Sequence, residues 1–404
     1  MPVYQYVART PQGKMVTGRT EGDNEATVAR LLRDQGLIPT SIEVGAARAR
    51  AVKKEMGRIG RIKIDDIVIL SRQFATMIRA GLPLMEVLNI LAEQSEKRAI
   101  KSVLKEVERD VETGSSLTEA LQKHPKVFNT FFVSMVKAGE AAGMLDTILD
   151  QIASYMEKVA SIQRKVKSAV TYPVVVSIIA ILITAFLMIK VVPVFEDILA
   201  DLKGQLPLMT RITVGVSDAL RNNFLMLLFG LAAVIVAFWQ IVKTKRGRQV
   251  WDRFKLTMPI FGPIFLKVSV ARFTRTLGTL IRAGVNILNA LEIVARTANN
   301  VIIEAAVYKT RASIQSGESI AAPLRESAVF PPMVVRMIDV GERTGALETM
   351  LTKIADFYED QVDAAVAGLT ALIEPLMMVF LGFIIGFIVI SMFLPMIKLI
   401  EAVQ

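Results

Sequence analysis

The sequence predicts a mainly α membrane protein: two homologous cytoplasmic six-helix bundles and three transmembrane helices, behind a small N-terminal α/β unit. Three observations carry that prediction. Three apolar runs of about 20 residues, interrupted by charge only at Lys190, which can snorkel from near the end of the first, have the length a helix needs to cross a hydrocarbon core of about 30 Å. A pattern of glycines, acids and prolines recurs in register in the two halves, the mark of a duplicated supersecondary unit. Between those marks, apolar residues return at three- and four-residue steps, which places them on one face of a helix.

Composition supports the same class. Of 404 residues 52% are hydrophobic and 21% charged, and the mean hydropathy of +0.46 is high for a soluble chain. Forty-eight Lys and Arg against 38 Asp and Glu give a net charge of +10. The cations gather at the ends of apolar segments and in one linker, without the aromatic alternation that stacks bases. They therefore point to membrane lipid and topology, not to nucleic acid. With no cysteine, disulfides, thiolate metal sites and cysteine nucleophiles are excluded. Met1 to Thr20 lacks an apolar core of signal-peptide type, so no cleavable secretory signal is expected.

Residues 1–45 read as the α/β unit. Val3 to Val7 and Met15 to Thr17 flank the turn sequence Pro11-Gln12-Gly13, Asp23 or Asn24 can cap a helix carrying Val28, Leu31 and Leu32, and Ile38 to Val44 is a third strand. Residues 46–63 form a basic linker, since unpaired like charges extend a chain. The first bundle spans 64–171. Asp65 or Asp66 caps its first helix, which stops before Gly81, and Pro83 opens the second. Gly114 ends the third, Ser116 to Glu119 has the spacing of a capping box, and Asn129 starts a fifth. From Leu145 a long sixth helix leads into the first span, 172–195.

Arg164, Lys165 and Lys167 precede that span while Glu196, Asp197 and Asp201 follow it, so the N-terminal half is placed in the cytoplasm. Residues 196–223 then form a polar periplasmic connection, and 224–242 the second span. Lys243, Lys245, Arg246 and Arg248 return the chain to the cytoplasm. The second bundle covers 243–374, where Arg79-Ala80-Gly81 recurs as Arg282-Ala283-Gly284 and Tyr155 as Phe357. A third span, 375–397, leaves a tail, 398–404, on the periplasmic side. Within it Gly382 and Gly386 form a G-x-x-x-G pair that permits close helix packing.

The residues of catalysis are not assembled anywhere in the sequence. No G-x-x-x-x-G-K-[ST] string offers a phosphate cradle, and the single His124 cannot by itself build a zinc site or a triad. Glu106, Glu108, Asp110 and Glu112 alternate with Lys and Arg, as on a solvated face. We expect no catalytic, cofactor-binding or metal-ligating residue and no enzyme. The motif Gly-Glu-x-x-Gly-x-Leu occurs twice, at Gly139, Glu140, Gly143 and Leu145, and at Gly341, Glu342, Gly345 and Leu347. On a structural reading, each first Gly ends a helix in the left-handed conformation and each Glu favours the dipole of the long helix that follows. On a functional reading, the two glutamates meet a partner or a cation. Pro173 and Pro375 near the start of two spans, with Pro193 and Pro395 near their far ends, are hinges or mere boundaries. The methionines of the spans, Met188, Met226, Met377, Met378, Met392 and Met396, read as core filler.

The spacing Lys165-Val166, Ala169-Val170, Tyr172-Pro173, Val176, Ala180, Leu187 and Val191-Val192-Pro193 resembles the signature of the GspF/PilC family, the inner-membrane platform proteins of type II secretion and type IV pilus machines. That resemblance covers nearly the whole chain. It implies an oligomeric scaffold that engages a hexameric assembly ATPase in the cytoplasm, pilin or pseudopilin subunits in the membrane and other inner-membrane proteins of the same machine, without being an ATPase itself. Type IV pilus assembly is the expected setting and a type II secretion system the alternative. A transporter with cytoplasmic regulatory domains is a reading from another class, for which spans nearly free of ionisable groups are poor material.

Overall fold

The computed structural model describes residues 3–9, 15–21, 25–34, 36–44, 62–195 and 207–403. The proposed turn at Pro11-Gln12-Gly13, the cap at Asp23 or Asn24, most of the basic linker and the acids after the first span lie outside those residues. The chain divides into two compact units, one comprising residues 1–67 and 81–127, the other 68–80 and 128–404.

In the first unit, β1 (Val3–Arg9), β2 (Met15–Glu21) and β3 (Ile38–Val44) form an antiparallel sheet in the order β2-β1-β3. Helix α1 (Glu25–Asp34) buries Val28 and Leu32 against Leu37. Helix α2 (Ile64–Arg79) begins here, where the Lys63 N–H donates to the Asp66 carboxylate at 2.6 Å and Lys97 pairs with the same group. Asp66 thus caps from inside the first turn. Helices α3 (Leu84–Gln94), α4 (Arg98–Glu112) and α5 (Leu117–Gln122) pack in succession. Ser116 and Glu119 form the capping box that the sequence spacing predicts.

The second unit holds the rest of α2, then α6 (Thr130–Ala142) and α7, which starts at Leu145, is α-helical to Phe186, passes through one π-helical turn (Leu187–Val191) and remains helical to Phe195. After it come α8 (Leu208–Asn222), α9 (Phe224–Lys243) and α10 (Lys245–Thr257). The second bundle is α11 (Gly262–Arg282), α12 (Ile287–Thr297), α13 (Val301–Gln315), α14 (Ala321–Glu326), α15 (Pro332–Thr344) and α16 (Leu347–Val403). The duplication is visible in the helix lengths. Helices α3 to α6 have 11, 15, 6 and 13 residues, and α12 to α15 repeat those four lengths. The stops repeat too: Gly81 and Gly284, Gly114 and Gly317, Gly143 and Gly345 all have positive φ, a conformation that costs a side chain but not a glycine.

Among the described residues, three segments are long and apolar enough to cross a membrane: Leu145–Phe195, Leu225–Lys243 and Leu347–Pro395, with windows of mean hydropathy 2.8, 2.5 and 2.7. Their large side chains, such as Ile181, Phe229, Val379 and Phe383, are exposed, as lipid-facing residues are.

The sixth helix runs without interruption into the first span, as its periodicity implied, and α16 likewise continues through the third. Three expectations change. Pro173, Pro193, Pro375 and Pro395 all lie inside helix and mark no helix end. The connection 196–223 contains α8, and the tail is helical as far as Val403. Only some of the methionines fill a core: Met188 and Met392 are buried, whereas Met226 and Met378 are among the most exposed apolar residues of the spans.

Candidate functional site

Each copy ties its first helix to its last through two arginines one heptad apart. In the first copy, Arg72 of α2 donates to both oxygens of Glu157 at 2.7 Å and to Asp150 at 2.9 Å, and Arg79 reaches Asp150 at 2.5 Å. In the second, Arg275 of α11 bonds Glu359 at 2.8 Å and Asp356 at 2.5 Å, and Arg282 bonds Glu348 at 2.6 Å. Thr352 accepts from Arg282 at 3.0 Å. A planar guanidinium fixes both distance and rotation of the helix that it grips.

The clamps differ in depth. Arg275 and Glu359 have side chains 15% and 11% exposed, whereas Arg72 and Glu157 are 37% and 41% exposed. At Arg275 burial lowers the pKa, but the hydrogen bonds that it donates to Glu359 and Asp356, with their charges, outweigh it and raise the value overall. At Glu157 the bond from Arg72 is the largest influence and holds the carboxyl below its usual range. Because the folded pKa is lowered, the contribution of Glu157 is complete above the ordinary glutamate value of about 4.3 and is lost as pH falls through the lowered one. We expect Arg275→Gln to cost about 2 kcal/mol and Arg72→Gln less than about 1, between the limits for buried and solvent-screened pairs. Thermal unfolding in detergent measures both; equal losses would refute the difference in depth.

The copies also grip one another. The hydroxyl of Tyr155 in α7 lies 2.9 Å from Thr276 Oγ1 in α11, Lys158 is 3.3 Å from Glu359, and Lys165 pairs with Asp363. Tyr155 is buried while its repeat counterpart Phe357 is 45% exposed, so the contact between copies is not symmetrical. Farther along, Ala169 packs with Val362, Val366 and Leu369, and nearer the far end Met188 and Val192 pack with Ile388 and Met392. Helices α7 and α16 are therefore joined from bundle to membrane.

The glycine motif works differently from its expected form. Gly139 and Gly341 lie within α6 and α15, and Gly143 and Gly345 are the left-handed caps. A Cβ on Gly139 would stand 3.0 Å from Ile148 Cβ, and one on Gly341 would stand 3.0 Å from Leu347 Cα and Met350 Cβ. Each first glycine thus lets two helices cross. The Glu342 carboxylate accepts from the Ile320 N–H at 2.9 and 3.0 Å, so it serves the start of α14 and not that of the long helix. Leu145 and Leu347 open the two rods, and Tyr172, beside Pro173, is exposed. Gly382 and Gly386 meet nothing within 4 Å of an added Cβ, so no helix among the described residues uses the pair for close packing.

The far-side joint was not legible as a site. Proline has no N–H, so in the π turn before Pro193 the carbonyl of Met188 loses its partner five residues on. In α16, the carbonyl of Ser391 likewise loses its partner four residues on, at Pro395. Helix α8 supplies both replacements: Ser217 Oγ donates to Met188 O and Thr210 Oγ1 to Ser391 O, each at 2.5 Å. Ser391 Oγ and Thr213 Oγ1 are bonded at 2.7 Å between them, and all four hydroxyl side chains are buried. Thr210, Thr213 and Ser217 follow the three- and four-residue steps of one helix face. Helix α8 is a staple across the two proline-bearing rods.

No group of three or more potential metal ligands occurs among the described residues. What the arrangement offers is mechanical: two clamped bundles, a cross-brace between copies and a stapled joint at the opposite end of the same rods.

Comparison with known proteins meets this geometry closely. The family described as type II secretion system (T2SS), protein F matches residues 70–193 and again 273–395, and the N-terminal domain of type II secretion system protein F matches 1–43. Each of the two repeat matches begins in the first helix of a copy and closes at Pro193 or Pro395. The type IV pilus assembly protein PilC of Thermus thermophilus is 47% identical over 401 residues, covering 99% of this chain and 98% of that protein. PilC of Myxococcus xanthus is 46% identical, covering 99% and 96%. The type II secretion system protein F of Pseudomonas aeruginosa is 32% identical over the full length of both chains.

Proposed function

This chain belongs to the type II secretion system protein F family, a multi-pass inner-membrane component of pilus and secretion machinery, and on that basis we propose that it is the platform of a type IV pilus assembly machine. In this reading it couples a hexameric cytoplasmic ATPase to pilin subunits in the bilayer, as part of an oligomer with other inner-membrane assembly proteins. The observation that carries the choice of machine is the contrast in identity. Relatives named for type IV pilus assembly share 47% and 46% of their residues with it, against 32% for a secretion protein F, at nearly full coverage in each case. The unbroken rods support the coupling role, because a bundle that turns carries its membrane helix with it. The N-terminal half faces the cytoplasm and the C-terminus the periplasm on the positive-inside rule.

Deletion of the gene in its host tests the proposal. Surface pili should disappear and return with the wild-type copy, while export of folded proteins is unaffected. Lost export with intact pili would move the protein to the secretion machine, and solute uptake by the purified chain in vesicles would replace both with the transporter reading.

A further inference from the structure

A cavity of about 710 Å³ opens between α7, α10, α11 and α16, where the bundle meets the first span. Its walls are apolar, with Val166, Val170 and Val174 of α7 facing Phe265 and Val268 of α11. Lys167, Lys255 and Trp251 also line it. The volume is that of a pocket for a small ligand, and the depth is telling. Lys167 is the last cation before the charge-free run of α7, and Val174, just past Pro173, opens the mostly apolar part of that run. The cavity therefore straddles the boundary between head groups and acyl chains.

Helix α10 supplies a second, independent indication. It follows the span α9 directly and carries Lys245, Arg246, Arg248, Arg253 and Lys255 with Val250, Trp251 and Phe254, the make-up of a basic helix lying on a membrane surface. It then meets α11 at 104°, a turn that suits a helix leaving the membrane plane for the bundle. Its single acid, Asp252, is buried and accepts from the Val301 N–H at 3.0 Å, at the start of α13. Lys255 shares that carboxylate at 3.0 Å and lies 5.7 Å from the Trp251 ring. Lys167 is exposed and, among the described residues, has no carboxylate partner.

We propose that this cavity holds an acyl chain of one anionic phospholipid of the cytoplasmic leaflet, with its phosphate between Lys167 and Lys255. Basic pockets between membrane helices select such head groups. Through Asp252 the occupied site is wired to the second bundle, so lipid composition sets how firmly α10 is held. The site is independent of which machine the protein serves.

Trp239 and Trp251 are the two tryptophans of the chain, which makes the test direct. In full-length Trp239→Phe protein, Trp251 reports alone. It is reconstituted in phosphatidylcholine vesicles doped with brominated-chain phosphatidylglycerol or, in parallel, brominated-chain phosphatidylcholine. We expect half-quenching at a mole fraction about fivefold lower for phosphatidylglycerol, from the attraction of a lysine near the surface. Lys167→Gln should bring the two lipids close to parity and Lys167→Arg should keep the difference. Inorganic phosphate at millimolar level should not change it. Equal quenching by both lipids in the parent protein would overturn the proposal, as would loss of the preference on adding free phosphate. Absence of quenching would overturn it too, and would indicate that a protein helix fills the cavity.

Discussion

Gly341→Val should cost about 2–3 kcal/mol and open the crossing of α15 on α16, because the new side chain has to displace backbone. A Cβ there stands 3.0 Å from Leu347 Cα, and inserting atoms into a closed contact costs about 1–3 kcal/mol. Gly139→Val should cost less, since the atoms it meets belong to the Ile148 side chain. Gly382→Ala is the control. Nothing lies within 4 Å of it, and the gain in helix propensity leaves it neutral or slightly stabilised. Thermal unfolding in detergent orders the three; a Gly341 variant as stable as the Gly382 variant would refute the close crossing.

The stapled joint makes a sharper prediction, because a second substitution should reverse the first. Ser217→Ala leaves the Met188 carbonyl buried and unbonded, which costs about 1–2 kcal/mol within a membrane protein. Pro193→Ala restores an N–H at the position that the π turn needs, so in the Pro193→Ala background the same serine change should cost little. Thr210→Val and Pro395→Ala form the corresponding pair on α16. Double-mutant cycles on unfolding give the coupling, and surface piliation gives its consequence. A serine change that costs the same with and without the proline would remove the staple from the account.

Much of this architecture could be read in advance, for definite reasons. Glycines at left-handed stops, the Ser116 to Glu119 spacing and charge-free runs are local signals, and a local signal survives in a single sequence. The duplication strengthened them by showing each twice. Contacts between distant positions carried no such mark. Arg72 and Glu157, or Arg275 and Glu359, are ordinary helix-surface residues until the fold brings them together. A trace was present all the same: two arginines seven residues apart recur in the second copy, and so do acids on the partner helix. Helix α8 was read as connection because its buried face is made of Thr210, Thr213 and Ser217, and hydrophobic periodicity is blind to hydroxyls. The prolines misled by their usual meaning. Inside α7 and α16 the orphaned carbonyls at the far joint find hydroxyl donors from α8, so the helices continue.

The absence of any break in α7 sets the scale of movement available. At 1.5 Å of rise per residue, the 51 residues from Leu145 to Phe195 extend about 76 Å. About 40 Å of that lies beyond Lys167, so swinging the bundle end by about 10° sweeps the opposite tip sideways through roughly 7 Å, most of the 8–10 Å that separates two packed helices. A tilt of a few degrees at the bundle end is therefore enough to part or re-seat a helix packed against the opposite end of the rod.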